Sequence, residues 1–519
     1  MDTKVRISRD LWLLAGLCLI KLVIHLSTNQ IYSFHRDEYL YMDYGRHLSF
    51  GYYDVPPLTA FLAWLSRYVL GESVFALRLF PALTGTATLW IGGLLVIELG
   101  ARRFAVLILG IALIFSALLR VDTMFQPVTF DVFFWTLCSY FLIRFLKYGD
   151  ADNLVWLGLA FGLGVLNKYT ILLWGLGAFT GILMLRSDIL SQPKFYAGAL
   201  LALVLMLPNM VWQLQHHLPA LDHVSALSRQ QFVHVSYQEI VVSQFMFFGP
   251  GCLLWVAGLV YIFTKGGSKF RIMGITYFVT ILILLFCKGK SYYAMGMYPA
   301  LIALGAVYLD RARDTLVIYV FRPVLLLLIM VAGIILLPAV APVLPAAYLT
   351  RYCSWVNTHT GLEFRRWEDG KVHSMPQDFS DMYGWEEGSQ KALYWYNSIP
   401  EKDRADYIVC ASDYGLAASI DFYGRQQNLP EVFNGSSGMI DWVPLTIHAH
   451  NILYIGDNVK NDLSYFRHVV ILDSITNPWS REVGICIAVA TDCKQDLPAL
   501  WNNLYSKKKA AGPFKDVSR

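Results

Sequence analysis

The sequence predicts a multi-pass α-helical membrane protein of about eleven transmembrane helices, followed by a C-terminal extracytoplasmic α/β domain. Two observations carry this prediction. Of the 519 residues, 56% are hydrophobic and 15% are charged, with a mean hydropathy of +0.46, which is too apolar for an ordinary soluble protein. The charged residues are also concentrated after residue 339. We therefore expect a membrane domain over residues 1–339 and a soluble domain over residues 340–519.

Apolar windows of about 20 residues, the length that spans a bilayer, recur up to residue 337. The first is not expected to be a cleaved signal peptide, because its apolar stretch is long and no small-residue cleavage site follows it. The predicted spans are near residues 10–28, 75–99, 104–120, 127–147, 153–167, 169–185, 195–214, 241–264, 271–287, 292–309 and 317–337.

Lysines and arginines in short loops predict the orientation, because positively charged loops stay in the cytoplasm. Such residues occur before the first span and then in every second connection between spans. They are Lys4, Arg6 and Arg9; Arg102 and Arg103; Arg144 and Lys147; Arg186 and Lys194; Lys265, Lys269 and Arg271; Arg311 and Arg313. With an odd number of spans, the N-terminus is cytoplasmic and the C-terminal domain is periplasmic or extracellular, in a protein of the inner (plasma) membrane. The long loops 29–74 and 215–240 then face the outside.

The region after residue 340 contains short apolar runs separated by Asp, Asn, Gly and Pro. Runs at 407–411, 451–455, 468–472 and 484–490 predict strands, and 387–397 and 413–423 predict helices. This mixture is typical of a small α/β domain.

Composition also excludes some classes of function. The net charge is +4 and the only block of like charge is Lys507–Lys509, so no nucleic-acid partner is expected. The eight cysteines show no CxxC or Cys/His ligand spacing, which argues against a zinc or redox site. A disulfide among Cys353, Cys410, Cys486 and Cys493 stays open.

Acidic residues are the first candidates for chemistry. The first outer loop begins with FHRDEY at residues 34–39, directly after the first span. Its adjacent carboxylates, Asp37 and Glu38, can supply a general base and a neighbour that orients it or holds a cation. The alternative is a solvated loop start or an acidic pair at a helix N-terminus. Asp131 lies inside an apolar segment, so it needs a polar cavity or a partner, for which Arg120 and Arg78 are candidates.

Cations on the predicted outer face are the second set. Lys168, Lys288 and Lys290 lie there with Arg78. A lysine is a compact charge suited to phosphate, so these residues can hold a lipid-linked phosphate at headgroup level. The alternative for each is snorkelling to ordinary headgroups.

Histidines invite a metal hypothesis that we do not favour. The loop 215–240 carries His216, His217, His223 and His234, but no spacing is diagnostic, and a structural role or an acceptor contact is preferred. Lys21 and His25, four residues apart in the first span, are expected to share a face and make a buried polar contact.

Taken together, these motifs resemble polyprenyl-phosphate-dependent glycosyltransferases of the GT-C fold. The branch they resemble contains the dolichyl-phosphate-mannose protein mannosyltransferases and the bacterial aminoarabinose transferases that modify lipid A. The matching motifs, in order, are FHRDEY at 34–39, GYYDVPPL at 51–58, RLFPAL at 78–83, NKYT at 167–170, PNMVWQ at 208–213, KSYY at 290–293 and DYGLA at 413–417 with DFYG at 421–424. Val55 departs from many members, which have a lysine there.

The resemblance implies an activity and roles for particular residues. It implies transfer of a sugar from a polyprenyl-phosphate donor, such as an undecaprenyl phosphate, by a single displacement that inverts the anomeric configuration. Asp37 is the implied base, Glu38 its partner and Asp131 the second acid. The donor phosphate would be bound by Lys168, Lys290, Arg78, Tyr292 and Tyr293.

The partners implied are this donor, the surrounding membrane lipids and an acceptor, for which lipid A or another glycolipid, a polysaccharide and a protein hydroxyl all stay open. No cofactor is certain, and a divalent metal bound by Glu38 and a loop histidine also stays open. The main alternative is a transporter or flippase of lipid-linked sugars, although we see neither a hydropathy repeat nor helices broken in corresponding halves. A membrane-anchored binding protein would leave the outer acids and lysines unexplained.

Overall fold

A computed structural model describes residues 3–312 and 316–514 of the chain, so Arg313, used above for orientation, lies outside the described residues. The chain divides into two compact units. Unit 1 comprises Met1–Ile31, Leu70–Trp212 and Ser228–Leu344, and unit 2 comprises Tyr32–Val69, Gln213–Leu227 and Pro345–Arg519. By its internal contacts, unit 2 thus includes most of the first long loop and part of the second. The division at residue 339, which rested on composition, stays a prediction.

The helices of the first 340 residues are α1 Thr3–Thr28, α2 Arg36–Tyr44, α3 Leu58–Leu70, α4 Val74–Glu98, α5 Arg103–Ile114, α6 Leu118–Val121, α7 Pro127–Tyr148, α8 Asp152–Asn167, α9 Ile171–Leu185, α10 Pro193–Gln215, α11 Pro219–Gln230, α12 Tyr237–Met246, α13 Cys252–Phe263, α14 Arg271–Cys287, α15 Tyr298–Arg311 and α16 Leu316–Val340. Those that follow are α17 Ala346–Thr360, α18 Gln377–Ser380, α19 Trp385–Ser398, α20 Glu401–Arg404, α21 Tyr414–Gly424, α22 Val459–Asp462 and α23 Leu497–Ala511. The strands are β1 Tyr407–Ala411, β2 Val432–Phe433, β3 Asn451–Gly456, β4 Phe466–Ser474 and β5 Cys486–Cys493.

Unit 1 is built of apolar helices, and the protein is a multi-pass membrane protein. Within the described residues, seven helices are long and apolar enough to cross a bilayer, or eight if one bent pair counts as a span. Three further predicted spans are the shorter apolar helices α5, α8 and α9. The total of about eleven stays a prediction because it depends on whether these short helices cross.

One predicted span is wrong in shape. The apolar stretch 241–264 was expected to be one continuous helix, but it is two helices, Tyr237–Met246 and Gly249–Phe263, bent by 94°. The break has a local cause. Gly249 adopts a positive φ of 49°, which glycine accepts without a Cβ clash, and Pro250 has no N–H to continue a helical ladder.

A buried ion pair ties three segments of unit 1 together. The Lys21 ammonium lies 2.7 Å from the Asp122 carboxylate and also donates to the Gly85 carbonyl at 3.0 Å. Both charged side chains are at most 3% exposed. Gly85 is required here, because a Cβ on it would lie 2.2 Å from the Asp122 carboxyl. The predicted buried polar contact of Lys21 is confirmed, and His25, one turn later, is also buried.

The C-terminal part of unit 2 is the predicted α/β domain. Its described part contains a five-stranded sheet in the order β2-β1-β3-β5-β4, in which β1 pairs in parallel with β2 and β3, and β5 pairs antiparallel with β3 and β4. Ile408, Tyr454 and Ala488 on one face of the sheet pack against Leu497 and Trp501 of α23. The four predicted strands and two predicted helices are confirmed within a few residues, and the two-residue strand β2 was missed.

Helix α2 packs on α21 within unit 2, so the start of the first loop is part of the same core as the C-terminal domain. Phe34 and Tyr39 make edge contacts with Phe422 at centroid distances of 5.4 and 5.8 Å. The eight cysteines, all of them in the described residues, are free thiols.

Candidate active site

The first-loop acids lie in the acidic turn, residues 35–38, at the start of α2. His35 is the N-cap, and its imidazole accepts a hydrogen bond from the Asp37 amide. The Glu38 carboxylate in turn accepts a hydrogen bond from the His35 amide at 2.7 Å, which completes a capping box. Glu38 is fully buried, whereas Asp37 is half-buried. Glu38 therefore fixes the start of the helix, and Asp37 is the more exposed of the two acids.

The neighbours of Asp37 come from the C-terminal part of unit 2. The Tyr414 hydroxyl donates to Asp37 Oδ1 at 2.8 Å. The Arg36 guanidinium pairs with Asp413 and lies 4.3 Å above the Tyr414 ring. The first turn of α2 thus meets the N-terminus of α21, although the two segments are 377 residues apart in the sequence.

The buried residue Asp381 contacts the acidic turn through both its side chain and its backbone. Asp381 lies 3.8 Å from the His35 imidazole and 3.3 Å from Arg481, and its backbone carbonyl accepts from the Arg36 amide. Burial raises the pKa of Asp381, and the positive charges of His35, Arg481 and Arg36 oppose this shift. Nearby Glu482 has its pKa raised to about 7, by burial first and by the Asp413 charge second.

The second half of the first loop is anchored in the same unit. Tyr44 donates to Asp54 at 2.8 Å, and the Ser437 hydroxyl donates to the same carboxylate. The Gly438 amide donates to the Tyr44 oxygen at 2.9 Å. The GYYDVPPL motif is therefore held by the segment after β2, and Val55 offers no charge within it.

A second set of predicted residues meets in unit 1 and forms the charge cluster: Asp131, Lys168, Lys290, Tyr292 and Tyr293. The Lys168 ammonium lies 5.1 Å from both tyrosine ring centroids, and Lys290 lies 5.9 Å from that of Tyr292. The charge of Lys168 also interacts with the Asp131 carboxylate. Asp131 is buried, whereas both lysines and both tyrosines are half-buried.

Local contacts explain why these residues meet. Asn167, at the end of α8, donates to the Pro127 carbonyl at the start of α7, which brings Lys168 beside Asp131. Asp131 accepts hydrogen bonds from Trp135 at 2.9 Å and from Thr170 at 2.7 Å. The segment of Tyr292 packs closely on α7, because a Cβ on Gly296 would lie 2.4 Å from Trp135.

The hydrogen bonds of Asp131 thus come from Trp135 and Thr170, where Arg120 and Arg78 had been candidate partners. Arg120 donates to the Ala339 carbonyl and Arg78 to the Asn29 carbonyl. Arg78 is 1% exposed, so its guanidinium is less accessible to a ligand than the ammonium groups of the half-buried Lys168 and Lys290. The charge cluster contains two lysines that share a contact with Tyr292, and one carboxylate that interacts with Lys168, so its cations outnumber its acids, which favours an anionic ligand.

The loop histidines are spread over different contacts. The His216 charge interacts with Asp441, and its ring meets Tyr53 at a centroid distance of 6.3 Å. His223 packs on Phe514. Among the residues that the structure describes, no group of three or more His, Cys, Asp or Glu side chains is placed to hold a metal ion.

Sequence reasoning missed the role of Tyr414. Its motif was noticed, but no spacing relates it to a residue 377 positions earlier. Thr170 was likewise quoted only as part of NKYT, although it hydrogen-bonds the buried acid.

Comparison with known proteins gives a family match over part of the chain and solved structures with the same fold. Residues 54–212 match the profile of the family described as dolichyl-phosphate-mannose-protein mannosyltransferase. The structure of ArnT from Cupriavidus metallidurans bound to undecaprenyl phosphate superposes with a TM-score of 0.61 at 14% identity, covering 92% of this chain and 97% of that chain. The apo form of the same protein gives 0.57 at 13% identity with the same coverage. No curated protein matches by sequence.

These findings confirm the resemblance that the motifs predicted. The chain has the fold of ArnT, a multi-pass helical membrane fold with a small C-terminal sheet domain. At this identity the likeness establishes the fold alone.

The stability of unit 2 is expected to depend on pH through Asp43, in the last turn of α2. Burial raises the pKa of its carboxyl from 3.8 to about 7, Arg46 opposes the shift and Glu431 adds to it. Between these two values the folded state holds a proton that the unfolded chain releases, so the free energy of unfolding falls as the pH rises.

We therefore expect Asp43→Asn to make the thermal unfolding midpoint in detergent less dependent on pH between about pH 4 and 7. Glu482, whose pKa is also raised to about 7, leaves a residual slope. The exposed Asp457→Asn should follow the wild type. Equal slopes in the wild type and Asp43→Asn would contradict the assignment.

Proposed function

We propose that this protein is a membrane glycosyltransferase that moves a sugar from a polyprenyl-phosphate donor to a hydroxyl group of an acceptor outside the cytoplasm. The observation that carries the proposal is the charge cluster, a half-buried pair of lysines with two tyrosines beside a buried acid. Two further findings support it: the match of residues 54–212 to a family of sugar transferases, and a fold shared with a protein solved with undecaprenyl phosphate bound.

The proposed reaction is a single displacement. The acceptor oxygen attacks the anomeric carbon and loses its proton to Asp37, while the bond from that carbon to the phosphate oxygen breaks. The electron pair leaves with the polyprenyl phosphate, whose added negative charge is stabilised by Lys168 and Lys290. Attack opposite to the leaving group inverts the anomeric configuration.

The other residues have supporting roles in this proposal. Glu38 caps α2 and so fixes the direction of Asp37. Asp131 holds Lys168 in place through their charge interaction, and Tyr292 and Tyr293 flank the lysines with ring faces that attract cations. Arg78 contributes by holding the end of α1 through the Asn29 carbonyl. No step is assigned to a metal.

The acceptor is proposed as a glycolipid such as lipid A, a polysaccharide or a protein hydroxyl. The transporter or flippase alternative is not supported, because the family match is to enzymes that form glycosidic bonds.

Asp37→Asn is expected to lower kcat for sugar transfer by the purified protein about a hundredfold or more, because the variant lacks the proton acceptor. The measurement is transfer of radiolabelled sugar from a polyprenyl-phosphate donor. The exposed Asp457→Asn is the matched control and should transfer like the wild type. Full transfer by Asp37→Asn would refute the assignment of the base.

Lys168→Met is expected to raise KM for the donor about tenfold, a loss of ~1.4 kcal/mol of donor binding. The reason is the loss of one of the two cations that face the phosphate. Initial rates across donor concentrations give KM, and Lys269→Met, at an exposed position, is the control. A donor KM unchanged in both Lys168→Met and Lys290→Met would contradict a phosphate site at the charge cluster.

The proposed orientation places the N-terminus in the cytoplasm and the C-terminal domain outside it. Alkaline phosphatase, which folds to an active enzyme only outside the cytoplasm, tests this as a fusion partner. A fusion after residue 519 should be active, and a fusion after Lys265 should be inactive. The reverse pattern would overturn the orientation.

A further inference from the structure

Tyr414 has no assigned role so far, but it contacts the proposed base directly. Its hydroxyl donates to Asp37 Oδ1 at 2.8 Å. Tyr414 lies outside the family-matched segment, residues 54–212, and outside the charge cluster. The hydroxyl belongs to the first residue of α21, and the acid belongs to the first turn of α2. Both segments lie in unit 2.

Tyr414 is held firmly enough to direct a neighbour. Asp413 is the N-cap of α21 and accepts a hydrogen bond from the Gly415 amide at 2.7 Å. The same carboxylate pairs with Arg36, whose guanidinium lies on the Tyr414 ring. A Cβ on Gly415 would lie 2.7 Å from the Arg36 side chain, so this close packing requires a glycine. The ring therefore has little freedom to turn the hydroxyl away from Asp37.

The hydroxyl acts as a donor at physiological pH. Burial raises the pKa of Tyr414 above its usual value, and the negative charge of Asp37 raises it further. A phenol that keeps its proton can only donate to a carboxylate.

We infer that Tyr414 is a positioning residue for the proton acceptor Asp37: its hydrogen bond fixes the rotation of the carboxylate. This inference rests on the proposed function, because a base needs a fixed direction towards the proton that it accepts. It also gives the C-terminal domain a part in the reaction itself, in addition to any contact with the acceptor.

Other charged groups around Asp37 act on the same carboxylate and are unchanged by the removal of one hydroxyl. Arg36 is the cation of the acidic turn, and His35 and Arg481 add positive charge around Asp381. The acids on this side are Glu38, Asp381, Asp413 and Glu482. Since the Tyr414→Phe variant keeps all of these groups and the ring under Arg36, a change in its kinetics reports the lost hydrogen bond.

The test is the pH profile of kcat for wild type, Tyr414→Phe and Tyr423→Phe. Tyr423 is the matched control, because its hydroxyl lies 3.1 Å from that of Tyr39 in the same unit and forms no part of the proposed machinery. We expect kcat of Tyr414→Phe to fall about tenfold across the profile with KM unchanged, because the carboxylate loses its fixed direction. Tyr423→Phe should match the wild type at every pH.

A second measurement does not depend on transfer activity. A water-soluble carbodiimide with glycine ethyl ester modifies accessible carboxyls, and mass spectrometry of the peptide containing Asp37 follows the modification with time at one pH. Asp37 should be modified faster in Tyr414→Phe than in the wild type and in Tyr423→Phe, because the lost hydroxyl uncovers Oδ1, and equal unfolding midpoints should show that all three are folded.

The outcomes separate the two claims. Transfer by the wild type, with kcat and the modification rate of Asp37 unchanged in Tyr414→Phe, would overturn the positioning role and leave the proposed function standing. Absence of transfer by the wild type would count against the proposed function, and the modification rate would still decide whether Tyr414 holds the Asp37 carboxylate.

Discussion

The cost of placing a charge in an apolar interior governs the arrangement of unit 1. An unpaired buried ion is destabilising by several kcal/mol, about 3–5 when one partner of a pair is removed. Lys21 meets this constraint with Asp122 and with the carbonyl of Gly85, where the absence of a side chain leaves room for the Asp122 carboxyl. Asp131 meets it with an indole N–H, a hydroxyl and the charge of Lys168. The first solution ties the interiors of α1 and α4 to the residue that follows α6, and the second solution builds the charge cluster.

In unit 2, hydrogen bonds and ion pairs also place the charged side chains, and they give two adjacent acids different surroundings. The acidic turn lies at the start of α2. The Glu38 carboxylate takes part in the capping box, and the Asp37 carboxylate accepts a hydrogen bond from Tyr414 of α21. Two adjacent carboxylates with the same side-chain chemistry thus receive different roles from their backbone positions. The contacts of Arg36 and Tyr414 show that the first loop and the C-terminal domain form one core, so a change in α21 reaches the acid directly.

The sequence predicted much of this, and the failures have physical causes. Apolar length predicted the seven helices of the described residues that are long enough to cross a bilayer, and short apolar runs predicted β1 and β3–β5. The bend between α12 and α13 was missed because hydropathy does not register backbone geometry, although Gly249-Pro250-Gly251 was a visible signal. The two lysines and the one acid of the charge cluster were named as candidates by residue type, but the hydrogen-bond partners of Asp131 were not. Contacts such as Tyr414 to Asp37 depend on tertiary packing across hundreds of residues, and no local pattern encodes them.

The proposed function requires that the protein form a glycosidic bond. We would measure transfer from a panel of radiolabelled polyprenyl-phosphate sugars by membranes that carry the wild type or Asp37→Asn, with the lipid donor and the acceptor fractions counted separately. We predict label in an acceptor fraction with the wild type alone, which also identifies the acceptor class. No transfer from any donor, together with movement of labelled lipid across reconstituted bilayers, would contradict it and favour a flippase.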